Sequence, residues 1–259
     1  MKVQPPKELV DIVARYLESK IVSLSTFERD VEYLRLLYKS VVFRKIDYER
    51  LGLAFLWLYH FENAAKVQLA CREIPMPSHV NVLDAGCGSG ASTVGLVNYI
   101  IDESSVKSAR IELVDRSPTQ LDIFNHTTGR YLREKLRSHV IFHTVHEDIG
   151  HFLQSKASVM SYDLIIASNV LGELAPSNHR RTLRKMCDIQ APGGSVLVIE
   201  RKRTRIIESV RDAAKWTTCT MRMSGPHEID DLEQLGAICP RYPIEKEFAL
   251  CYAIFTKRR

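Results

Sequence analysis

The rhythm of hydrophobic and polar residues changes near residue 80. Before it, apolar side chains recur at helical spacing. In "PKELVDIVARYLESK", Leu9, Ile12, Val13, Tyr16 and Leu17 fall on one face of a predicted helix. Phe27, Val31, Leu34 and Tyr38 repeat the spacing behind Ser25-Thr26-Phe27-Glu28, which has the form of a capping box. The block "YERLGLAFLWLYHFENAAKVQLA" is apolar on too many positions for a surface helix and predicts a buried one. Pro75 and Pro77 then close the helical region.

Beyond residue 80, short β-branched runs alternate with amphipathic stretches. The runs are "VNVLD" (80–84), "RIELVD" (110–115), "HVIFHTV" (139–145), "YDLIIAS" (162–168) and "SVLVIE" (195–200). Each is nearly continuous in apolar residues, as strands covered on both faces should be. With helical pieces such as "STVGLVNYII" and "RRTLRKMCDI" between them, the order predicts an α/β fold with a doubly wound, mostly parallel sheet. At the end, "EIDDLEQLG" reads as a helix stopped by Gly236. "YPIEKEFALCYAIFTKRR" reads as two strand-like pieces in an antiparallel hairpin. The division expected is a helical segment, 1–79, followed by a sheet domain, 80–259.

Composition narrows the picture modestly. The 259 residues carry a net charge of +5, which permits an anionic partner without requiring one. The six cysteines are scattered and none forms a C-x-x-C pair, so no metal site is expected and the thiols read as reduced. The start has early acids and no apolar signal core. The stretch Leu51–Phe61 falls short of the roughly 18 apolar residues that a span needs. The expectation is a cytoplasmic protein with no membrane segment.

The chemistry gathers at "VNVLDAGCGSGAST". Three of only 12 glycines, Gly86, Gly88 and Gly90, stand between the first strand and its helix. That is the carboxyl edge, where ligands of such sheets bind. Dinucleotide proteins use G-x-G-x-x-G there, to seat a pyrophosphate on a helix N-terminus. Here the spacing is G-x-G-x-G, and Asp84 precedes it. An acid facing a pyrophosphate would repel it, whereas one facing a cation would not, so the stretch favours a positively charged adenosyl donor.

At this point the chain resembles the class I S-adenosylmethionine-dependent methyltransferases, over about residues 80–256 and most specifically in "LDAGCGSG". The resemblance implies a Rossmann-like, seven-stranded domain binding S-adenosyl-L-methionine. Asp84, Gly86, Cys87, Gly88 and Gly90 would form the donor loop. Asp115, with Arg116 beside it, would accept from the two ribose hydroxyls, as a carboxylate can. In "HEDI", Asp148 would accept from the adenine amino group with Ile149 beside the ring. "YDLIIASNVLGEL" would form the fourth strand and the loop, including Asn169, where the methyl group is presented. "APGGSVLVIE" would form the turn into the fifth strand. Asp115, Asp148 and Asn169 read equally well as helix caps.

Methyl transfer from a sulfonium needs alignment more than it needs a catalytic dyad. The acceptor loop lacks the Asn/Asp-Pro-Pro-aromatic tetrad of base-amino methyltransferases, and Cys187 lies too far down the next helix to be a nucleophile. Glu173 is the one acid in that loop and the candidate to orient an amine or take a proton; it could also cap a helix or face water. Basic residues follow: Arg180, Arg181, Arg184, Lys185, Arg201, Lys202, Arg203 and Arg205. They could track a phosphate backbone or simply be solvated. "DLIIASNVLGEL", "GGSVLVIE" and "RIIESVRDAAK" also resemble, more loosely, the methyltransferase-like family that assists assembly of the small ribosomal subunit, although its cysteine-rich segment has no counterpart here. The leading expectation is an RNA methyltransferase. The alternatives are a small-molecule or protein methyltransferase with the N-terminal helices as a lid, and a non-catalytic, cofactor-binding assembly factor.

Overall fold

A computed structural model describes residues 2–39, 46–103, 105–135, 140–156, 161–200, 204–213, 215, 218–242, 244 and 246–256. The chain opens with β1 (Lys2–Val3), then α1 (Lys7–Lys20), α2 (Leu24–Lys39) and α3 (Tyr48–Cys71). The apolar face of α1 buries Leu9, Ile12, Val13 and Leu17 as its periodicity requires. The cap of α2 is Ser23, whose Oγ accepts from the Thr26 amide at 3.3 Å, and not Ser25, which already lies inside the helix. Asp47 caps α3 by accepting from the Arg50 amide at 3.4 Å. The 24 residues of α3 are buried on almost every side, because the helix is packed between α2 and the helix that follows the first long strand.

The sheet domain continues with β2 (His79–Ala85), α4 (Ala91–Glu103), β3 (Ser108–Asp115), α5 (Pro118–His126), α6 (Thr128–Lys135), β4 (Val140–His146), α7 (Ile149–Ser155) and β5 (Tyr162–Ser168). A single 3-10 turn at Leu171–Glu173 leads to α8 (Pro176–Asp188), β6 (Gln190–Ile199), α9 (Thr204–Ala213), β7 (Thr218–Ile229), α10 (Glu233–Ile238) and β8 (Glu247–Thr256). The strands form one sheet in the order β1-β7-β8-β6-β5-β2-β3-β4, parallel except that β8 runs against both β6 and β7. Among the described residues eight strands are therefore present where seven were expected; the addition is β1, which pairs Val3 with Ile229 at the outer edge.

Successive side chains of the central strands feed two cores. Val80 and Val82 of β2 join the core beneath α1–α6, while Leu83 and Ala85 join the one beneath α7 and α8. In β5 the split is Leu164 and Ile166 against Ile165 and Ala167. This period of two explains why the strands read as unbroken apolar runs. The winding direction changes between β2 and β5, so a switch point opens at their carboxyl ends.

The C-terminal expectations needed correction. Glu228 and Ile229 end β7 and are not helical, and Gly236 lies inside α10, where its amide bonds to Leu232 O at 2.9 Å. The hairpin pairs one strand, β8, with β7, whose sequence "TCTMRMSGPHEI" gave no strand signal. Most of β7 is solvent-exposed, so no apolar alternation was needed there. No described helix is long and apolar enough to cross a membrane.

Candidate active site

The loop after β2 is fastened to the neighbouring strand. The amides of Gly86 and Cys87 both donate to Val114 O, at 2.8 and 3.0 Å, and the Gly90 amide turns back to Cys87 O at 2.8 Å. The three glycines then do different jobs. At Gly90, with φ +86°, a Cβ would stand 2.5 Å from the Phe124 ring, so this residue is small for packing. At Gly86 a Cβ would meet Val170 at 2.7 Å. At Gly88 the nearest atom to a Cβ would be Gln120 Oε1 at 3.5 Å, and the rest of that side is open to a cleft.

Asp84 does not reach this cleft. Its carboxyl is buried beneath the loop, accepts from the Thr93 hydroxyl at 2.7 Å, and leaves Oδ1 without a hydrogen-bond partner among the described residues. Burial pushes its pKa up to about 7, with the nearby Asp115 adding to the shift. The sequence argument that Asp84 faces a cation therefore meets a different geometry: this acid ties the loop to the first turn of α4.

Asp115 ends β3 inside the cleft. Its Oδ2 accepts from the Gly88 amide at 2.8 Å and its Oδ1 from the Ser117 amide at 2.7 Å. Each oxygen keeps a lone pair for a further donor. Burial outweighs these two bonds, and the carboxyl titrates above its usual range. Asp148 is the helix cap that the sequence allowed, and it also stands at the cleft. Its Oδ1 caps α7, accepting from Gly150 and His151 amides at 2.8 and 3.4 Å, while the residue lines the cleft together with Ile149 and Glu147.

The far wall comes from the loop after β5. Asn169 adopts φ +60° and its Nδ2 donates to Asn63 Oδ1 of α3 at 3.0 Å. Glu200 Oε1 accepts from the Gly172 amide at 3.1 Å and holds the turn that presents Glu173. The Tyr48 hydroxyl donates to Glu173 Oε1, and Arg116 Nη2 lies 3.5 Å from Oε2. Burial raises the Glu173 carboxyl to about 7, and the Tyr48 bond and the Arg116 charge only partly offset it.

The cleft, about 760 Å³ including its open side, thus brings together Gly86, Cys87, Gly88, Asp115, Arg116, Asp148, Ile149, Asn169 and Glu173; Asp84 and Gly90 lie behind it. Burial raises the Cys87 thiol, so it is a neutral lining group. Arg180, Arg181 and Arg184 are exposed on α8, while Lys185 donates to Gly150 O at 3.2 Å. Arg201, Lys202 and Arg203, and the side chain of Arg205, lie outside the described residues.

The sequence reading missed several lining residues, namely Tyr48, Phe55 and Asn63 of α3, Gln120 of α5 and Ser168 of β5. A signal existed for α3. Polar His60 and Asn63 within a helix apolar all round must have partners. His60 Nδ1 pairs with Ser89 Oγ of the glycine loop at 2.9 Å, and burial lowers its pKa to about 4, so the ring is neutral.

These features fit an adenosyl donor. A vicinal diol matches the spare lone pairs of Asp115, the open side of Gly88 admits a ligand backbone, and the amide of Gln120, Arg116 Nη2 and Ser168 Oγ are buried without hydrogen bonds among the described residues. A switch-point cleft so lined, on this sheet, defines the nucleoside-donor methyltransferase architecture. The methyltransferase-domain family model matches residues 42–239, and the chain belongs to that family of class I S-adenosylmethionine-dependent methyltransferases. Among solved structures, the N-methyltransferase NodS of Bradyrhizobium japonicum WM9, in complex with S-adenosyl-L-homocysteine, is 17% identical. The match covers 76% of this chain and 86% of that one, with a TM-score of 0.50. Magnesium protoporphyrin IX methyltransferase (ChlM) of Synechocystis PCC 6803, with bound S-adenosylmethionine, is 12% identical over 88% of this chain and 97% of that one, with a TM-score of 0.47. The NodS likeness is one of fold. No curated protein matches the chain in sequence.

Proposed function

We propose that the protein methylates a small acceptor that enters the cleft beside Glu173, with S-adenosylmethionine as donor. The observation that carries this reading is the shared cleft: the open side of Gly88, the carboxylates of Asp115 and Asp148, and Glu173 all face one space. When bound, the donor supplies a methyl group on a sulfonium, open to in-line attack by a nucleophile.

The chain's own residues would do the rest. Asp115 would hold the ribose hydroxyls, and Asp148 with Ile149 the adenine. Glu173, with a pKa near 7, is part-ionised at neutral pH and can take a proton from a hydroxyl or ammonium acceptor at Oε1 or Oε2. Tyr48 and Arg116 fix the direction of that carboxyl. Tyr48, Phe55 and Leu174 narrow the acceptor end and exclude water.

The walling of the cleft by α3 favours a small acceptor. A second reading, RNA, is supported by exposed Arg180, Arg181 and Arg184 on α8, the helix that follows Glu173. The test incubates the protein with methyl-labelled donor and, separately, with a metabolite extract and with total RNA. Label in the small-molecule fraction supports the first reading. Label in RNA that falls steeply with added salt, and that is lost in an Arg180→Glu/Arg181→Glu/Arg184→Glu variant, supports the second.

A further inference from the structure

Strand β7 runs from Thr218 to Ile229, and its outer edge is covered along only part of that length. Among the described residues the neighbour on that side is β1, which pairs with Glu228 and Ile229 alone. Pro226, which has no amide hydrogen, lies near that covered end. The stretch Thr218–Ser224 differs. Its inner edge pairs with β8, while its outer edge presents backbone N–H and C=O groups to no described strand. Open edges in native sheets are usually guarded by proline, lysine, a bulge or a covering segment. None of these guards Thr218–Ser224 among the described residues.

Side chains along this stretch alternate between the faces. Arg222 turns toward the end of α3, where its Nη1 donates to Glu73 Oε1 at 2.9 Å. Cys219, Met221 and Met223 turn to the opposite face. Cys219 packs against the core beneath α7 and α8, and Met221 pairs with Ala253 of that core. Met221 and Met223 are nevertheless 38% and 57% exposed. An apolar row thus runs along an open backbone edge.

We propose that this edge joins a second copy of the chain, β7 against β7, antiparallel about a two-fold axis. An axis perpendicular to the sheet continues each face across the interface, so it has to pass through a residue and not between two. Centred on Met221, it pairs the whole open stretch: Thr218 with Ser224, Cys219 with Met223, Thr220 with Arg222, and Met221 with its own symmetry mate. Cys219, Met221 and Met223 of both copies then form one apolar strip, and each Arg222 meets a threonine. Centred on Arg222, the axis would set two guanidinium groups opposite each other, which is unfavourable, and would draw Pro226 into the ladder. Centred on Thr220, it would carry Met223 and Ser224 past the start of the partner strand. The stretch is complementary to itself in the Met221 register, which favours a second copy over a foreign strand.

The test is sedimentation of the full chain over a range of concentrations, with oxidative cross-linking by diamide. The parent should form dimers that dissociate on dilution. Met221→Lys sets like charges face to face on the axis and should weaken association by about tenfold or more; Met223→Lys is the second variant, and circular dichroism checks that both stay folded. Directly opposed Cα atoms of an antiparallel pair lie about 4.5–5.5 Å apart, within the roughly 4.4–6.8 Å that a disulfide spans. Met221→Cys should therefore link to its own mate, and Met223→Cys to Cys219 of the other copy. The parent, in which Cys219 faces methionine, should not link through this edge. A parent that stays monomeric at every concentration, leaving the edge to a strand of another protein, would overturn the proposal. So would a dimer that both lysine variants leave intact, or the lack of either link.

Discussion

Tyr48 and Glu173 are 125 positions apart in the chain, and the phenol of one donates to the carboxyl of the other within the cleft. The bond joins the first turn of a helix from the N-terminal segment to the turn that follows the fourth of the long parallel strands counted across the sheet domain. Donation to a carboxylate favours its ionised form, so Tyr48 holds the Glu173 pKa lower than burial alone would set it. Tyr48→Phe keeps the edge contact with Phe55, at 5.4 Å between centroids, and removes only the hydroxyl. If Glu173 takes the acceptor's proton, the methyl-transfer rate falls as pH drops through about 7, and Tyr48→Phe moves that fall to higher pH. Glu173→Gln should remove the acid limb and lower turnover by at least about 100-fold. A pH–rate profile of the three proteins checks this.

The glycines of the loop should separate by mechanism. Gly88→Val puts its side chain into the open cleft, so donor binding is lost while the protein stays folded, at a cost of about 1–2 kcal/mol for its left-handed backbone. Gly90→Val drives a branched side chain into Phe124 and Thr128, which are buried and cannot give way, and the melting temperature should drop much further. Thermal unfolding with and without S-adenosylhomocysteine distinguishes the two.

Asp115→Ala removes the acceptor of two backbone amides, those of Gly88 and Ser117, as well as the proposed contacts to the ribose. Hydrogen bonds to a charged group contribute about 1.5–3 kcal/mol each. The loss of affinity for S-adenosylhomocysteine should therefore be on the order of 100-fold or more, measured by calorimetry.

Asp84 makes a prediction about stability and pH. Its folded pKa of about 7 lies above the ordinary carboxylate value of 3.8. Between those two values the folded state holds a proton that the unfolded state has released, so this group's contribution to stability falls as pH rises through that window and is level above it. Asp84→Asn imitates the protonated form and escapes the loss. The difference in melting temperature between variant and parent should grow in the variant's favour from pH 5 to pH 8. A constant difference would mean that Asp84 stays ionised in the folded protein.

Much of this was legible in the sequence, and the parts that were not share a cause. The strands of the central sheet announce themselves because both faces are covered, and Gly88, Asp115 and Asp148 could be placed because their chemistry sits at strand ends. Strand β7 could not be seen, since its exposed residues carry no alternation. The distinct roles of Gly88 and Gly90 could not be read either, because Phe124 and Gln120, which decide them, come from the next crossover. Tyr48 is invisible as a site residue in a linear reading, since its partner lies on another element altogether. Asp84 misled for the same reason: an acid beside a glycine loop says nothing about which way its carboxyl points.

Helix α3 has a practical consequence. Its start supplies Tyr48 to the cleft, its middle braces Ser89 through His60, and Ala64 O lies so close to Gly95 of α4 that a Cβ there would sit 2.1 Å away. Over 24 residues it runs about 36 Å at 1.5 Å per residue. Trimming the gene to begin at the first long strand would delete a wall of the reaction chamber and lay bare the greasy flank of α4. Such a fragment should be insoluble or inert, however complete its glycine signature.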